Sequence, residues 1–390
     1  MAEDIPSSSN TISLLGSTGS IGRQTLEVAE ALGLRVKALS ADKNIELLEE
    51  QTRRFRPEVT AVFEESAARD FRERVRDIDV RVYSGVDGLV EVSRVEGADT
   101  VVTAVVGMAG LIPTLAAIEL GRRIALANKE TLVCAGELVM SRANETGATI
   151  IPVDSEHSAI LQCIGAQSPE SIRKIILTAS GGPFRGKSRE ELSAVTPEMA
   201  LRHPTWNMGR KITVDSATLM NKGFEVIEAV HLFGFSPEKI SVVVHPESII
   251  HSMVEFADNS IMAQLAQPDM RLPIQNALLY PQRISSLTPA LDLARSPALT
   301  FEEPDINTFP CLGLAIETAG IRGTAGAVLN GANEAAVDLF LRGNLGFYGI
   351  YESVSAALDK IGNKVDPSLE DIIEAGEEAK RFVYRQYLTD

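Results

Sequence analysis

Cysteine is scarce in this chain, and its few thiols stand far apart. The 390 residues include only Cys134, Cys163 and Cys311, each within an apolar stretch. None belongs to a paired motif of the kind that builds a disulfide framework or a zinc site. We therefore expect buried thiols in a reducing compartment.

Basic residues are also in short supply. The chain has 37 Lys and Arg against 53 Asp and Glu, so its formal net charge is −16 and its pI is about 4.9. A chain of this charge repels nucleic acid and anionic membranes, and we expect neither as a partner. A small anionic substrate would need cations gathered at its site.

Long hydrophobic runs are missing as well. The first ten residues are polar and acidic, unlike a signal peptide, and no stretch is long and charge-free enough to span a membrane. We therefore expect a cytoplasmic protein. The 45% hydrophobic and 23% charged residues are typical of a globular protein, and the length predicts two or three domains.

The first part of the chain alternates short apolar runs with helical patterns. Strands that alternate with helices predict a parallel sheet covered on both faces, here a doubly wound, Rossmann-like α/β domain. The predicted strands are residues 11–15, 36–39, 59–63, 100–106, 124–127 and 149–153.

The pattern changes after this domain. Apolar runs at 172–178, 211–214, 240–244, 249–256 and 260–264, around a helix at 216–232, predict an α+β domain. Five prolines between residues 280 and 310 indicate a linker, and helical patterns at 327–342, 351–360 and 369–387 indicate a small bundle. The predicted parts are a nucleotide-binding domain (1–153), a catalytic metal- and substrate-binding domain (154–280), a linker (281–318) and a C-terminal helical domain (319–390).

A glycine motif follows the first predicted strand. Residues 16–22 read GSTGSIG and open a helix. Glycine lets the backbone turn tightly and approach a pyrophosphate, which the N–H groups of the first helical turn then bind. The GxxGxxG spacing differs from the usual GxGxxG, but the strand–loop–helix setting favours dinucleotide binding over an ordinary tight turn.

The segment after the second predicted strand bears on which dinucleotide binds. An acid there hydrogen-bonds the ribose of NAD, whereas a cation accepts the extra phosphate of NADP. Lys43 and Asn44 favour NADP, and Asp42 counts against it. A solvated turn with a helix cap explains the same residues, so this segment alone leaves both interpretations open.

Two more strand ends carry polar motifs, ANKE at 127–130 and VDSEH at 153–157. Ligands of parallel sheets bind outside the carboxyl ends of the strands. In an extended segment Asp154 and Glu156 would face the same side, and two carboxylates suit Mg²⁺ or Mn²⁺ better than zinc. Solvated acids that cap the next helix are the alternative. We interpret His157, on the opposite face, as structural.

Two loops of the second domain have residues that suit an anionic substrate. Residues 178–184, TASGGPF, offer a hydroxyl and backbone N–H groups to a phosphate or oxyanion, although an ordinary Gly-Gly-Pro turn is the alternative. Residues 202–211, RHPTWNMGRK, contain the only tryptophan. We interpret them as a mobile loop whose Trp206 covers a bound substrate and excludes water, the alternative being an aromatic anchored in a core.

A helix of the second domain carries a further polar cluster. Asn221 and Glu225 share one helical face, and Lys222 is their neighbour. The alternative interpretation of Lys222 and Glu225 is a surface ion pair, which contributes only about 0.2–0.5 kcal/mol.

Taken together and in this order, the motifs closely resemble the 1-deoxy-D-xylulose 5-phosphate reductoisomerase family. Each motif alone is modest, but the ordered set is specific and extends from about residue 11 to the last helix. The set comprises GSTGSIG at 16–22, ANKE at 127–130, DSEH at 154–157, SGGPF at 180–184, HPTWNMG at 203–209, NKGFE at 221–225 and NGANE at 330–334.

The resemblance implies which residues bind NADPH, the metal ion and the substrate. It places NADPH against Thr18, Gly19, Ser20, Ile21, Lys43, Asn44, Asn128, Glu130 and Gly209. It assigns Mg²⁺ or Mn²⁺ to Asp154, Glu156 and Glu225. It assigns the substrate to Lys129, Ser155, Glu156, Ser180, His203, Trp206, Ser216, Asn221, Lys222 and Glu225. The catalytic residues that it implies are Lys129, Glu156 and His203.

The resemblance also implies a homodimer and a reaction. 1-Deoxy-D-xylulose 5-phosphate would rearrange within a metal complex, and NADPH would then reduce the product to 2-C-methyl-D-erythritol 4-phosphate, a precursor in the non-mevalonate route to isoprenoids. One rival is an NADP-dependent sugar-phosphate dehydrogenase without rearrangement, which needs no three-carboxylate metal site. The other is a non-catalytic NADPH-sensing regulator, which would not consume NADPH.

Overall fold

The computed structural model describes residues 11–203, 206 and 208–388, and the chain divides into two compact units. The first unit comprises the described residues through Thr131, together with Val139–Ser158 and Asp269–Pro289. The second comprises Leu132–Leu138, Ala159–Pro268 and the described residues from Ala290 onward. The finer division at residues 153, 280 and 318 stays a prediction.

Strands and helices alternate along the described chain. The strands are β1 Thr11–Leu15, β2 Arg35–Ala41, β3 Val59–Val62, β4 Arg81–Ser84, β5 Thr100–Thr103, β6 Arg123–Leu126, β7 Thr149–Pro152, β8 Ile172–Ala179, β9 Ile240–Val244, β10 Ile250–Phe256 and β11 Ile261–Leu265. The helices are α1 Ser20–Ala31, α2 Ile45–Phe55, α3 Glu65–Arg74, α4 Gly85–Arg94, α5 Leu111–Ile118, α6 Glu130–Thr146, α7 Ser155–Ile164, α8 Arg189–Leu192, α9 Pro197–Ala200, α10 Arg210–Ala217, α11 Met220–Phe233, α12 Arg271–Leu279, α13 Pro310–Ala319, α14 Ala325–Leu341, α15 Phe347–Lys360 and α16 Leu369–Tyr387.

The first unit is built on one parallel sheet. Its seven strands lie in the order β4-β3-β2-β1-β5-β6-β7, and every neighbouring pair is parallel. The chain therefore reverses its direction of travel across the sheet between β1 and β5, where doubly wound folds bind their ligands. The predicted fold class is confirmed for this unit. The prediction missed β4, a four-residue edge strand whose side chains are only partly buried.

The second unit has a four-stranded mixed sheet in the order β11-β10-β8-β9. The four predicted strands at 172–178, 240–244, 249–256 and 260–264 are confirmed. The predicted strand at 211–214 is wrong, because these residues lie in α10 and bury one helical face.

One predicted helix of the second unit is interrupted. The sequence pattern predicts a single helix over residues 216–232, but α10 ends at Ala217 and α11 begins at Met220. Leu219, between them, is buried and has a φ of +60°. Burial of this side chain outweighs the strain of the left-handed conformation, which non-glycine residues seldom adopt.

The C-terminal part of the second unit is helical, as predicted. The helix α16 begins where the sequence indicated, with Ser368 and Asp371 forming a reciprocal capping box. The helices α14 and α16 pass so close that a Cβ on Gly331 would lie 2.2 Å from the carbonyl oxygen of Gly376. Within the described residues, no helix combines the length and the apolar character that crossing a bilayer requires.

Candidate active site

The glycine motif forms a compact loop between β1 and α1. Gly16 has a φ of +82°, and a Cβ there would lie 2.5 Å from the carbonyl oxygen of Ala104. A Cβ on Gly22 would lie 2.2 Å from the carbonyl oxygen of Gly16. These positions accept only glycine, which lets the loop pack closely against the end of β5 and against the start of α1.

The segment after β2 is compatible both with a contact to NADP and with a solvated turn that caps a helix, the two interpretations of its sequence. Asp42, Lys43 and Asn44 are exposed, and the side-chain oxygen of Asn44 accepts a hydrogen bond from the Leu47 N–H at 3.2 Å. Asn44 is therefore the N-cap of α2. Its amide nitrogen is a donor, so capping is compatible with a contact to an anionic ligand.

Asn128 joins two loops at the ligand-binding edge of the first sheet. Its buried amide donates to the carbonyl oxygens of Val105 and Gly107, both at 3.0 Å, and so ties the end of β6 to the loop after β5. The same amide lies 3.0 Å from a carboxylate oxygen of Glu130, the first residue of α6. Asn128 and Glu130 are thus fixed by hydrogen bonds beside the carboxyl end of β6, the edge at which parallel sheets bind their ligands.

Lys129 and the two predicted metal ligands of the first unit form one polar cluster. The Lys129 ammonium lies 2.7 Å from a carboxylate oxygen of Asp154. Carboxylate oxygens of Asp154 and Glu156 lie within 4.8 Å of each other. The Ser155 hydroxyl donates to Glu156 at 2.5 Å. The structure therefore brings together the residues that the sequence placed here.

The prediction that Asp154 and Glu156 meet because they lie on one side of an extended segment is wrong. The segment is not extended, because α7 begins at Ser155, and Asp154 accepts the Ser155 N–H at 3.0 Å. The two acids meet at a helix start rather than on one side of a strand. His157 is fully buried, but it does not point away from this cluster, because its Nδ1 lies 4.0 Å from Asp154.

In the second unit, the turn after β8 packs against the end of α10. Gly182 has a φ of +67°, and a Cβ there would lie 2.7 Å from the carbonyl oxygen of Ser216. The Ser180 hydroxyl accepts the Gly182 N–H at 3.3 Å and lies 3.2 Å from His203 Nε2. Ser180, Ser216 and His203 are thereby held by neighbouring segments of one unit.

The cluster on α11 is buried rather than exposed. Lys222 is 4% and Glu225 1% exposed, and the Lys222 ammonium is paired directly with the Glu225 carboxylate. The Asn221 amide donates to Glu225 at 2.6 Å. The alternative of a surface ion pair is therefore wrong. Buried charges are paired at a desolvation cost, and their presence here favours a functional site over a stabilising contact.

The bond network around His203 fixes its protonation state. The Trp206 backbone N–H donates to Nδ1 at 2.9 Å, so Nδ1 carries no proton. The neutral ring then has its proton on Nε2, directed at Ser180. Burial lowers the pKa of His203 below its usual range, which favours this neutral form. Residues 204, 205 and 207 of the predicted loop lie outside the described residues.

Trp206 should report the titration of His203. Because the pKa is lowered, we expect the emission of Trp206, the only tryptophan, to stay constant from neutral pH down to about 6.5 and to change below it. Protonation turns Nδ1 into a donor and breaks its bond to Trp206. The variant His203→Gln should lose this transition. A midpoint above 6.5, or the same transition in the variant, would contradict the assigned state.

Sequence reasoning missed a buried carboxylate beside Ser216. Asp215 pairs with Lys211 at 2.8 Å and accepts a hydrogen bond from the Asn333 amide at 2.8 Å, which ties α10 to α14. Asn333 belongs to the NGANE motif. That motif indicated that the residue matters, but not which distant partner it holds.

The fold and these clusters define a class of protein, a dinucleotide-binding α/β protein with acidic clusters suited to a hard metal ion. Three family models match the chain, described as 1-deoxy-D-xylulose 5-phosphate reductoisomerase over residues 12–136, the C-terminal domain of that enzyme over 150–233, and the DXP reductoisomerase C-terminal domain over 265–382. The chain belongs to the 1-deoxy-D-xylulose 5-phosphate reductoisomerase family. The predicted resemblance is therefore confirmed.

Individual relatives agree with the family models. The reductoisomerase of Ruminiclostridium cellulolyticum is 55% identical over 93% of this chain and 95% of its own length, and that of Acetivibrio thermocellus is 54% identical over 96% and 98%. The solved Zymomonas mobilis enzyme, in complex with NADPH, is 42% identical, covers 98% of this chain and 100% of its own, and has a TM-score of 0.91. A DOX-P reductoisomerase in complex with NADPH, fosmidomycin and magnesium is 40% identical with the same coverage and a TM-score of 0.92.

Proposed function

We propose that this chain carries out its family's reaction with the residues described above, which bind NADPH, a divalent metal ion and the substrate. The reaction is the conversion of 1-deoxy-D-xylulose 5-phosphate to 2-C-methyl-D-erythritol 4-phosphate by an NADPH- and divalent-metal-dependent oxidoreductase. The predicted function, enzyme class and cofactors are thereby confirmed. The roles of individual residues are the proposal.

NADPH fits the glycine loop of the first unit. The positions of Gly16 and Gly22 leave no room for a side chain, so the loop packs tightly and offers the backbone N–H groups at the start of α1 to the pyrophosphate. Lys43 and Asn44, both exposed, follow β2, where the adenosine ribose of a dinucleotide lies in this fold. The residues that we assign to NADPH are Thr18, Gly19, Ser20, Ile21, Lys43, Asn44, Asn128, Glu130 and Gly209.

A hard divalent cation fits the donor chemistry of Asp154, Glu156 and Glu225. All three offer carboxylate oxygens, which Mg²⁺ and Mn²⁺ prefer. Within its own unit, Asp154 is paired with a lysine, and so is Glu225. Each carboxylate is thus stabilised by a neighbouring positive charge, which a divalent cation also supplies. A bound divalent ion supplies Lewis-acid stabilisation of the negative charge that develops on the substrate's oxygen atoms.

The observation that carries the catalytic assignment is the ion pair between the buried Lys129 and the partly buried Asp154. It holds an ammonium group beside the proposed metal ligands, where it can donate a hydrogen bond or a proton to a substrate oxygen. Glu156, next to the Ser155 hydroxyl, is the proposed proton acceptor. Ser155 contacts the substrate.

The proposed phosphate site is the polar face of the second unit formed by Ser180, Ser216, Asn221 and Lys222, with His203 beside Ser180. Gripping a phosphate remote from the reacting carbons orients the substrate before any bond breaks. His203 contributes an N–H donor rather than a charge, since its neutral form is favoured. Trp206 would exclude water from the bound substrate.

The product distinguishes this proposal from its nearest rival. A sugar-phosphate dehydrogenase would return an unbranched sugar alcohol, whereas the reductoisomerase returns a carbon skeleton with a branch. Carbon NMR of the reaction mixture identifies the skeleton directly. An unbranched product formed at the rate of NADPH oxidation would overturn the proposal.

Asp42 should reduce the margin by which NADPH is preferred. Lys43 and Asn44 can meet the 2′-phosphate directly, whereas Asp42 places a like charge nearby at a cost on the order of 1 kcal/mol. We expect NADPH to surpass NADH in kcat/KM, and we expect the ratio to widen in Asp42→Gly. Asp79→Asn, which removes an exposed acid after α3, should leave the ratio unchanged. A wild type that prefers NADH, or an unchanged ratio in Asp42→Gly, would refute this interpretation.

The proposed form of the enzyme is a homodimer in the cytoplasm. The strand β11 lies at the edge of the second sheet, and its Ile261 and Met262 are 53% and 55% exposed. An exposed apolar edge strand is a surface on which a second chain can pair.

A further inference from the structure

The glycine loop is held from behind by one side chain of α2. Gln51 is 6% exposed, and its Nε2 donates to the carbonyl oxygen of Ser17 at 2.9 Å. The Ser17 hydroxyl donates back to Gln51 Oε1 at 2.6 Å. Ser17 is fully buried. The two residues therefore form a closed pair of hydrogen bonds between the loop and α2.

This pairing leaves little freedom to either residue. The carbonyl oxygen of Ser17 can only accept, so the amide nitrogen of Gln51 must face it, and the hydroxyl then has the amide oxygen as its acceptor. A buried amide is costly unless its polar atoms are satisfied, and here a single residue of the loop satisfies both.

The loop is also anchored to β2 through Ser40. The Ser17 N–H donates to the Ser40 carbonyl oxygen at 2.7 Å, and the Gly16 N–H donates to the Ser40 hydroxyl at 3.0 Å. On the other side, a Cβ on Gly22 would lie 2.6 Å from the Ser17 Cα, so α1 packs directly on the loop. Ser17 is thus fixed from three directions, and Gln51 supplies the only side chain among these contacts that comes from α2.

We propose that Gln51 is a positioning residue for the dinucleotide: through Ser17 it holds the glycine loop in the conformation that binds the pyrophosphate. The inference rests on the proposed NADPH site, because Thr18, directly after Ser17, begins the segment assigned to the cofactor. Gln51 itself does not touch the cofactor. Displacing Ser17 would misalign the backbone donors that follow it, and donors must be aligned to bind strongly.

The test is the variant Gln51→Met, in which a side chain of similar length keeps the packing and removes both hydrogen bonds. Titrations that follow the fluorescence of the reduced nicotinamide give the Kd of NADPH and of NADH. We expect both Kd values to rise about tenfold, the change that about 1.4 kcal/mol produces. The factor should be the same for both cofactors, because the pyrophosphate is common to them and the 2′-phosphate is not.

A matched control lies next to Gln51 in the same helix. Thr52 is also buried, but its hydroxyl donates to the Leu48 carbonyl oxygen within α2 at 2.7 Å. Thr52→Val removes a buried hydrogen bond of α2 without touching the loop, so the Kd of NADPH should stay at the wild-type value even if Tm falls. An equal loss of binding in Thr52→Val would mean that general loosening of α2 explains the effect, and would overturn the inference.

A second variant keeps the inference testable if Gln51→Met folds poorly. Ser17→Ala removes the hydroxyl from the other side and alone should raise the Kd of both cofactors. Where Gln51→Met folds, the effects of the two substitutions should be less than additive in the double variant, because the two residues share one contact. Full additivity, or wild-type binding in Gln51→Met, would overturn the positioning role. A selective loss of NADPH over NADH would overturn it too, by placing the effect at the 2′-phosphate. Failure of the wild type to bind NADPH would instead refute the proposed function.

Discussion

Glu225→Gln is expected to retain the fold and to lose most of its metal affinity. The amide oxygen of glutamine can still accept the hydrogen bond from Asn221, so α11 should keep its local structure. The buried Lys222 ammonium loses its counter-charge, so Tm should fall. The change removes one of three proposed carboxylate ligands. Because the loss of even an outer-shell partner typically costs about 10- to 100-fold in metal affinity, we expect the Kd of Mn²⁺ to rise by at least about 100-fold. Direct titration with Mn²⁺ by electron paramagnetic resonance measures this.

Two controls separate a lost ligand from a damaged protein. The Kd of NADPH should not change in Glu225→Gln, since Glu225 is not among the residues assigned to the cofactor. Glu255→Gln removes another carboxylate of the second unit, one paired with Arg173 at 2.9 Å, and should bind Mn²⁺ like the wild type. Wild-type turnover of Glu225→Gln without added metal would remove Glu225 from the metal site.

Lys222→Ala is expected to weaken the binding of the substrate and to leave the binding of NADPH unchanged. The variant loses a charge-assisted hydrogen bond to phosphate, which typically contributes about 1.5–3 kcal/mol. We therefore expect the substrate affinity to fall by roughly 10- to 100-fold, since about 1.4 kcal/mol corresponds to a tenfold change. Removing Lys222 also leaves Glu225 buried without its cation, so Tm should fall. Steady-state KM for the substrate and a separate NADPH titration measure the two affinities.

The exposed Lys239, shortly after α11, provides the matched control for charge. Its ammonium lies over the Phe235 ring, 5.4 Å from the centroid, and Lys239→Ala should leave both affinities unchanged. If Lys222→Ala instead lost NADPH and kept its substrate KM, Lys222 would belong to the cofactor site.

The sequence predicted the elements whose signals are local and strong. The strand β1 is an apolar run directly before a glycine motif, and α16 follows the start signal Asp366-Pro367-Ser368, so both begin where expected. The mixture of threonine and valine in α10 suggests a strand, since β-branched residues favour strands, but packing in the second unit makes it a helix.

The sequence grouped the active-site residues correctly but could not give their contacts. The order of the motifs predicted Lys129 and Asp154 at neighbouring strand ends. Their ion pair depends on the tertiary structure and could not be predicted from the sequence. Burial of Lys222 and Glu225 likewise depends on packing around α11, so an i,i+3 spacing alone suggested a surface pair. Contacts between distant residues, such as that of Gln51 with Ser17, have no local signal at all.

The most direct measurement of the central claim is the oxidation of NADPH, followed by absorbance, with 1-deoxy-D-xylulose 5-phosphate, with and without a chelator of divalent cations. We predict rapid oxidation with Mg²⁺ or Mn²⁺, its loss with chelator and its recovery when excess metal is restored. NADPH oxidation that continues undiminished in chelator would contradict a metal-assisted rearrangement. NADPH that binds but is not consumed in the presence of substrate and metal would contradict the enzyme itself.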